Sequence, residues 1–185
     1  MDLAVIKSVE VAPEAIPAFI DFATDDNCKW VNGYGEHSQV VTVDVGGTTT
    51  DVAVFEGKGM IKVAKSIPIG VLDVSEAVSA ALMRELNASS IRPQWVEEVI
   101  RGKQVADKNF SKILESCRKP VFAKISAELE RLISNPDQYD LVLGIGGGAE
   151  LFKDELKQWA STVVIPDNPT TTVARGILKI KGETA

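Results

Sequence analysis

The segment Asp44–Asp51, with the sequence DVGGTTTD, combines the residue types that a phosphate site needs. Asp44 ends an apolar run, and a buried strand has no need of a carboxylate there. Two glycines follow it and let backbone N–H groups turn toward an anion, and threonine hydroxyls come next. An acid beside phosphates is consistent with a hydrated Mg²⁺ between them. The alternative is a hairpin turn in which the glycines only satisfy geometry and the aspartate accepts N–H bonds. The candidate phosphate-binding residues are Gly46, Gly47, Thr48 and Thr49.

A second glycine-rich segment, Gly144–Glu150, follows the apolar run LVLGI. The pattern predicts a strand at Leu141–Ile145 and a helix at Ala149–Trp159. Small residues between them would let a flat ring or a phosphate approach the backbone, and a helix N-terminus favours an anion. Such turns are common, so this segment gains weight only as the partner of the first. Its candidate ligand-binding residues are Gly146, Gly147, Gly148 and Ala149.

A third feature is the elbow Pro13–Pro17, with the sequence PEAIP. Glu14 cannot lie deep in a core at low cost, so it should face solvent or a site. Its chemical role would be that of a base or a positioner for an attacking water molecule. On sequence physics alone, an ordinary solvated glutamate is the favoured interpretation.

The order of elements predicts a mixed α/β domain. Three β-rich runs joined by tight turns predict an antiparallel meander, and a strand–helix–strand–helix order follows. This order is that of one half of the actin-like, ribonuclease-H-like fold, a mixed five-stranded sheet with flanking helices, and not of a doubly wound fold. We expect a core formed by residues 1–86 and 111–185, with a small inserted helical subdomain at 87–110.

The predicted strands are Ile6–Val11, Gln39–Val45, Thr50–Phe55, Met60–Ile67 and Thr162–Ile165, besides Leu141–Ile145. The further predicted helices are Pro17–Ala23, Val74–Leu86 capped by Ser75, Ser111–Ile133 kinked or restarted at Pro120, and Thr170–Ile180.

Composition excludes several classes of function. The chain has 185 residues and a net charge of −6, which argues against direct nucleic-acid binding. Cys28, Cys117 and His37 lie far apart in sequence, so a metal–thiolate site has little support. No apolar run reaches membrane-spanning length, and the N-terminus lacks the features of a signal peptide. We therefore expect a cytoplasmic protein without a membrane partner.

Together the motifs VAPEAIPA, VVTVDVGGTTTDVAV, LVLGIGGGAELFKDELK and PDNPTTTVARGILK resemble the C-terminal half, domain II, of ParM/StbA-type actin-like ATPases, which segregate plasmids. The resemblance implies ATP and Mg²⁺ as cofactors. It implies that Asp44 holds Mg²⁺ through water and helps to organise the attacking water, and that Glu14 is the catalytic glutamate that orients this water. The turn at 46–48 would surround the terminal phosphates, and the strip at 146–149 would line the adenosine side.

The resemblance also implies an incomplete site. The family has an earlier Asp-x-Gly phosphate turn, and no such motif precedes Glu14 here. The implied partners are the N-terminal half of the same protein, further copies in a filament, and a DNA-bound adaptor. We expect the isolated chain to be hydrolytically incompetent. The alternatives are a phosphate-loop domain of a hydantoinase/oxoprolinase-like or sugar-kinase-like enzyme, and a non-catalytic actin-like scaffold.

Overall fold

The computed structural model of the chain describes residues 9, 11–57 and 59–182, which form one sheet flanked by helices. The strands are β1 (Gln39–Val45), β2 (Thr50–Glu56), β3 (Met60–Ile67), β4 (Leu141–Ile145) and β5 (Val163–Val164). The helices are α1 (Ala15–Ala23), α2 (Val71–Glu85), α3 (Pro93–Ile100), α4 (Ser111–Leu132), α5 (Lys153–Trp159) and α6 (Thr172–Gly182), with a short 3₁₀ turn at Pro136–Gln138.

The sheet is mixed and five-stranded, in the order β3-β2-β1-β4-β5. β1, β2 and β3 form the antiparallel meander, whereas β4 runs parallel to β1 and β5 parallel to β4. The predicted fold class is therefore confirmed. Parallel β1 and β4 bring their carboxyl ends, and the glycine segments that follow them, to the same edge of the sheet.

Each face of the sheet is buried under a different set of helices. Because side chains alternate along a strand, Val41, Val43 and Val45 of β1 join a core formed with α2, α3, α4 and α5. Val40 of β1 faces the opposite way and packs with Phe19 of α1, and α6 also lies on this side. The two faces thus divide the molecule into a large core and a smaller layer formed by α1 and α6.

The segment 87–110, predicted as a small inserted subdomain, contains α3. Val96 and Val99 of α3 are buried in the same core as α2 and α4, and so are Val105 and Phe110. The separation of 87–110 from the rest of the chain as a subdomain stays a prediction.

Two predicted helix starts are wrong. Ser75 does not cap α2, which begins at Val71; its hydroxyl donates to the Val71 carbonyl from inside the helix, at 3.1 Å. The glycine segment does not lead directly into a helix at Ala149, because residues 147–152 form turns and α5 begins at Lys153. In this segment the Gly148 N–H donates to the Val45 carbonyl, at 2.9 Å, and the Ala149 N–H donates to the Gly146 carbonyl three residues back, at 3.3 Å, so the backbone is held against β1 in a turn.

Two further predictions concern Pro120 and the first predicted strand. Pro120 lies inside α4, whose assignment runs without a break from Ser111 to Leu132. The strand predicted at Ile6–Val11 lies outside the described residues, apart from Val9 and Val11, which are exposed and belong to no strand.

Candidate functional site

Asp44 and Gly146 lie in contact where β1 and β4 end. Asp44 pairs with Ile145 in the parallel ladder, so Gly146, the first residue after β4, lies beside the Asp44 carboxylate. Gly146 has a φ of +81°, and a Cβ atom there would overlap Oδ1 of Asp44. Only glycine fits both the left-handed backbone and this close approach. The fold therefore brings the two predicted glycine segments together.

The turn after β1 leaves two of its backbone N–H groups without a hydrogen bond in the described part of the chain. The Gly46 N–H closes the turn by donating to the Thr49 carbonyl, at 2.8 Å. The carbonyls of Gly46 and Gly47 accept the first two N–H groups of α2, at 3.1 and 2.8 Å. Within the described residues no hydrogen bond uses the N–H groups of Gly47 or Thr48, and both residues are exposed. Two adjacent backbone donors at the surface are suited to binding an anion.

Gly70, which the sequence analysis did not identify as a candidate site residue, packs against this turn. A Cβ atom at Gly70 would lie 2.5 Å from the carbonyl oxygen of Gly47 and 2.7 Å from that of Gly46. The Gly70 N–H also donates to the Asp73 carboxylate, at 2.9 Å, which starts α2. In the sequence, Gly70 is only a single glycine before an amphipathic helix. Its importance is hard to predict because the turn that it contacts lies about twenty residues earlier in the chain.

Glu14 and Asp44 line the same cavity. Glu14 directly precedes α1 and is exposed, and the cavity between α1 and the sheet has a volume of about 340 Å³. Burial, together with the negative charges of Glu14 and Asp51, raises the pKa of Asp44 to about 6. The predicted water-orienting and metal-organising carboxylates are thus close enough to influence each other. The rest of the lining is Pro13, Ala15, Thr42, Val52, Ala53, Ile61, Ala64, Lys65, Ser66 and Ile145.

Asp51 lies directly opposite Asp44 in the β1–β2 ladder. Like charges in such a position destabilise a sheet unless something offsets them. Asp51 accepts a hydrogen bond from the Thr49 hydroxyl, at 2.8 Å. The Thr49 hydroxyl, which we predicted to bind a phosphate, therefore donates its proton within the turn. Among the described residues, no hydrogen bond uses the hydroxyl of the exposed Thr48. The role of Thr49 in nucleotide binding stays a prediction.

A second cavity, of about 430 Å³, lies beside Gly147. Its opposite wall is the loop that connects β5 to α6, residues 165–171, which is held to the glycine segment by the Gly146 N–H donating to the Pro169 carbonyl, at 3.2 Å. Gly147 is exposed and open to this cavity, whereas Gly148 and Ala149 are buried. The cavity also includes Asp167, Asn168 and Thr170, none of which was a candidate site residue in the sequence analysis.

The described residues of this region do not form a set of side chains that could bind a metal ion directly. Among the described residues, no group of three His, Cys, Asp or Glu side chains is arranged to hold a metal ion. Cys28 and Cys117 form no disulfide. Asp44 can therefore contribute to a cation site only as one carboxylate, consistent with binding through water. The described helices also include none long and apolar enough to span a bilayer.

The sheet, its flanking helices and the facing glycine turns define an actin-like fold, and solved structures share it at low sequence identity. Ta0583, an archaeal actin homologue, matches with a TM-score of 0.77 and 20% identity, over 94% of this chain and 56% of that chain. Apo pSK41 ParM matches with a TM-score of 0.70 and 16% identity, over 92% of this chain and 48% of that one. MreB5 of Spiroplasma citri bound to ADP gives 0.69 and 16%, over 94% and 62%. This chain thus spans about half the length of these proteins.

A profile of the family described as archaeal actin homologue MreB-like, C-terminal, matches residues 42–158. The chain belongs to this family. No curated protein sequence matches the chain significantly. The family match favours the actin-like hypothesis over the hydantoinase-like and sugar-kinase-like alternatives.

Proposed function

We propose that this chain is the C-terminal half of an actin-like ATPase that binds Mg-ATP between its two halves and polymerises. The observation that carries the proposal is the convergence at one edge of the sheet. The Asp44 carboxylate, the exposed Gly47 and Thr48, whose N–H groups make no described hydrogen bond, and the Gly146 backbone lie there, with Glu14 lining the adjoining cavity. These are the parts that positioning and charge stabilisation of a phosphoryl group require.

Each part has a distinct role in the proposal. The turn at residues 46–48 binds the terminal phosphates through its free N–H groups and the Thr48 hydroxyl. Asp44 holds Mg²⁺ through water, and its raised pKa fits that role, because burial and two acids destabilise its charged form and a cation would offset them. When bound, Mg²⁺ supplies neutralisation of the phosphate charge. Glu14 orients the attacking water from the opposite side of the cavity.

The nucleoside would occupy the cavity of about 430 Å³ beside Gly147. The exposed Gly147 backbone offers a flat surface, and the loop 165–171 supplies polar groups from Asp167, Asn168 and Thr170. Gly148 and Ala149 would act indirectly, by letting the glycine segment pack on β1. ADP-bound Ta0583, with a TM-score of 0.75 and 17% identity, is a nucleotide-bound protein of the same fold.

Half of the site would come from elsewhere in the same protein. The chain spans about half the length of the actin-like proteins that it matches. We infer that an N-terminal half supplies the first phosphate turn and closes the site against water. Without it, the chain should bind nucleotide weakly and should not hydrolyse it, because in-line attack needs both halves in register.

Filament formation and plasmid segregation are the cellular part of the proposal. ParM from Clostridium botulinum and Alp12 are filament proteins with this fold, at 19% and 14% identity. The motifs that resemble ParM favour plasmid segregation in the cytoplasm. Because the net charge is −6, we expect DNA to be engaged through an adaptor protein and not directly. A non-catalytic scaffold would bind nucleotide without turnover, which separates it from this proposal.

The proposal is tested first by calorimetric titration of the 185-residue chain with Mg-ADP and Mg-ATP. Asp44→Asn should weaken binding by about tenfold or more when Mg²⁺ is present, through loss of a metal-organising charge, and should have little effect in EDTA. The matched control is Asp26→Asn, which changes an exposed aspartate in the loop after α1. Equal affinity of Asp44→Asn and the unmodified chain for Mg-nucleotide would contradict the site.

A further inference from the structure

Arg175 of α6 bridges two parts of the molecule that lie on either side of the proposed site. Its Nε and one terminal nitrogen donate to Oδ2 of Asp21 on α1, at 2.9 and 2.6 Å. The other terminal nitrogen donates to the Thr171 hydroxyl, and the guanidinium also reaches the Asp167 carbonyl, at 3.4 Å. One side chain therefore joins α1 to the loop 165–171.

The bridge joins two segments that carry proposed ligand-binding groups, and on α1 it contacts Asp21, about two helical turns after Glu14. On one side, the loop 165–171 lines the nucleoside cavity, and its Pro169 carbonyl accepts the Gly146 N–H at 3.2 Å. On the other side, α1 begins immediately after Glu14, whose carbonyl accepts the Ala18 N–H at 3.2 Å. Arg175 thus lies between the nucleoside cavity and the helix that carries the water-orienting carboxylate.

The remaining contacts hold α1 and α6 together as one unit. A Cβ atom at Gly176 would overlap the Pro17 carbonyl, so the two backbones touch directly. Lys179 donates to the carbonyls of Asp21 and Thr24 at the end of α1, at 2.9 and 2.8 Å. These contacts fix the helices to each other but do not reach the loop 165–171. Only the Arg175 side chain makes the link to the loop among the described side-chain hydrogen bonds to α1.

Replacing Arg175 should leave the fold intact. The Asp21 side chain is only 6% exposed, and a buried carboxylate left without a partner would be strongly destabilising. Lys179 Nζ, however, lies 3.4 Å from Oδ1 of Asp21 and remains as a cationic partner. A lysine at position 175 would keep the charge but lose the planar fork that contacts both sides at once.

We propose that Arg175 is a positioning residue that fixes the loop on the nucleoside side of the site to α1, and thereby fixes the placement of Glu14. The proposal rests on the proposed function for the role given to Glu14. Its consequence is that the loop and the first turn of α1 open and close together. A nucleotide that holds the loop would therefore also hold the carboxylate in place.

The direct test is amide hydrogen exchange on the nucleotide-free chain. Arg175→Lys should speed exchange of both the Gly146 amide, which bonds to Pro169, and the Ala18 amide, which bonds to Glu14, by about tenfold, as expected for loss of charge-assisted hydrogen bonds. The control Arg101→Lys changes an exposed arginine on the α3 side and should leave both amides unchanged. Lys179→Met should speed exchange at the end of α1 without affecting Gly146. If Arg175→Lys loosens only the loop, or neither amide, the coupling does not exist.

A kinetic readout separates positioning from stability. In the protein that includes both halves, Arg175→Lys should lower kcat by about tenfold, because Glu14 acts in the chemical step, and should also raise KM, because the loosened loop lines the nucleoside cavity. An unchanged kcat would overturn the role of Arg175. Failure of the unmodified chain to bind Mg-ADP would count against the proposed function instead, and the nucleotide-free exchange experiment would still decide whether Arg175 couples the loop to α1.

Discussion

Asp44 is the residue whose charge is most affected by its surroundings. Its pKa rises from 3.8 to about 6 because it is partly buried and faces the negative charges of Glu14 and Asp51. A carboxyl whose pKa is higher in the folded state than in the unfolded state favours folding at low pH. That contribution is fully present below pH 3.8 and is lost as the pH rises through about 6.

The resulting prediction compares Asp44→Asn with the unmodified chain in Mg²⁺-free buffer. At about pH 8 the variant should be more stable, by roughly 1–2 kcal/mol once solvent screening of the partly exposed carboxylate is allowed for, and the difference should shrink toward zero near pH 4. Chemical denaturation at several pH values measures the difference directly. The comparison cancels carboxyls with the opposite shift, such as Asp25, whose pKa is lowered by hydrogen bonds from the backbone. A difference that does not vary with pH would contradict the raised pKa.

Glu14 is predicted to act in the chemical step. In the protein that contains both halves, Glu14→Gln should reduce kcat by about 100-fold, as for a water-orienting group, with nucleotide affinity changed by less than about threefold. Filaments should still form and should persist longer. Steady-state kinetics together with nucleotide titration check the split, and Glu76→Gln on the exposed face of α2 is the control. Affinity that falls in step with kcat would make Glu14 a binding or structural residue.

The site residues that sequence reasoning found are those whose signal is local. Asp44, Gly46 and Gly47 stand together in one turn, so their residue types and spacing alone predicted a phosphate loop. Gly70 and Asn168 could not be found in this way, because each matters through a segment that is distant in the sequence. Their positions depend on how α2 and the loop 165–171 pack beside the two glycine turns.

At the scale of elements, the contact between α1 and α6 depends on one glycine. Gly176→Ala would place a methyl group on the Pro17 carbonyl and should destabilise the chain by roughly 2–4 kcal/mol, since two packed helices must separate. Gly182→Ala in the same helix meets nothing within 4 Å and should be neutral or stabilise by up to about 1 kcal/mol.

Thermal or chemical unfolding of the two glycine variants measures this contrast. Because both substitutions lie in α6, differences in helix propensity largely cancel. A Gly176→Ala variant as stable as Gly182→Ala would show that α1 and α6 are less closely packed than the structure indicates. It would also remove one support for the coupling assigned to Arg175.

Strands were easier to predict than helix starts. The bounds of β1, Gln39–Val45, follow from an uninterrupted β-rich run between polar segments and agree with the structure. The start of α5 does not follow from local sequence, because the Gly148 N–H is used by the Val45 carbonyl, which is a long-range contact. Similarly, Ser75 was predicted to cap α2, but the contact of Gly70 with the turn at residues 46–48 sets the start of α2 earlier.

At the scale of the whole molecule, the chain has a well-covered sheet and a candidate site that lies at the surface. Both faces of the sheet carry fully buried apolar side chains, such as Val43 and Leu82 on one side and Phe19 and Leu143 on the other. We therefore expect the chain to fold alone. The candidate phosphate turn and the Asp44–Glu14 cavity, in contrast, lie at the surface, and in our proposal the N-terminal half closes them against water.

The most direct test of the central claim is phosphate release from Mg-ATP, measured for the isolated 185 residues and again after joining or adding the proposed N-terminal half. The isolated chain should release no measurable phosphate and form no ATP-dependent filaments, whereas the two halves together should do both. Asp44→Asn in the joined protein should reduce the rate by on the order of 100-fold or more, as for loss of a metal-organising group. Robust hydrolysis by the isolated chain would mean that its site is already complete, which would contradict the assignment of this chain as half of an actin-like ATPase.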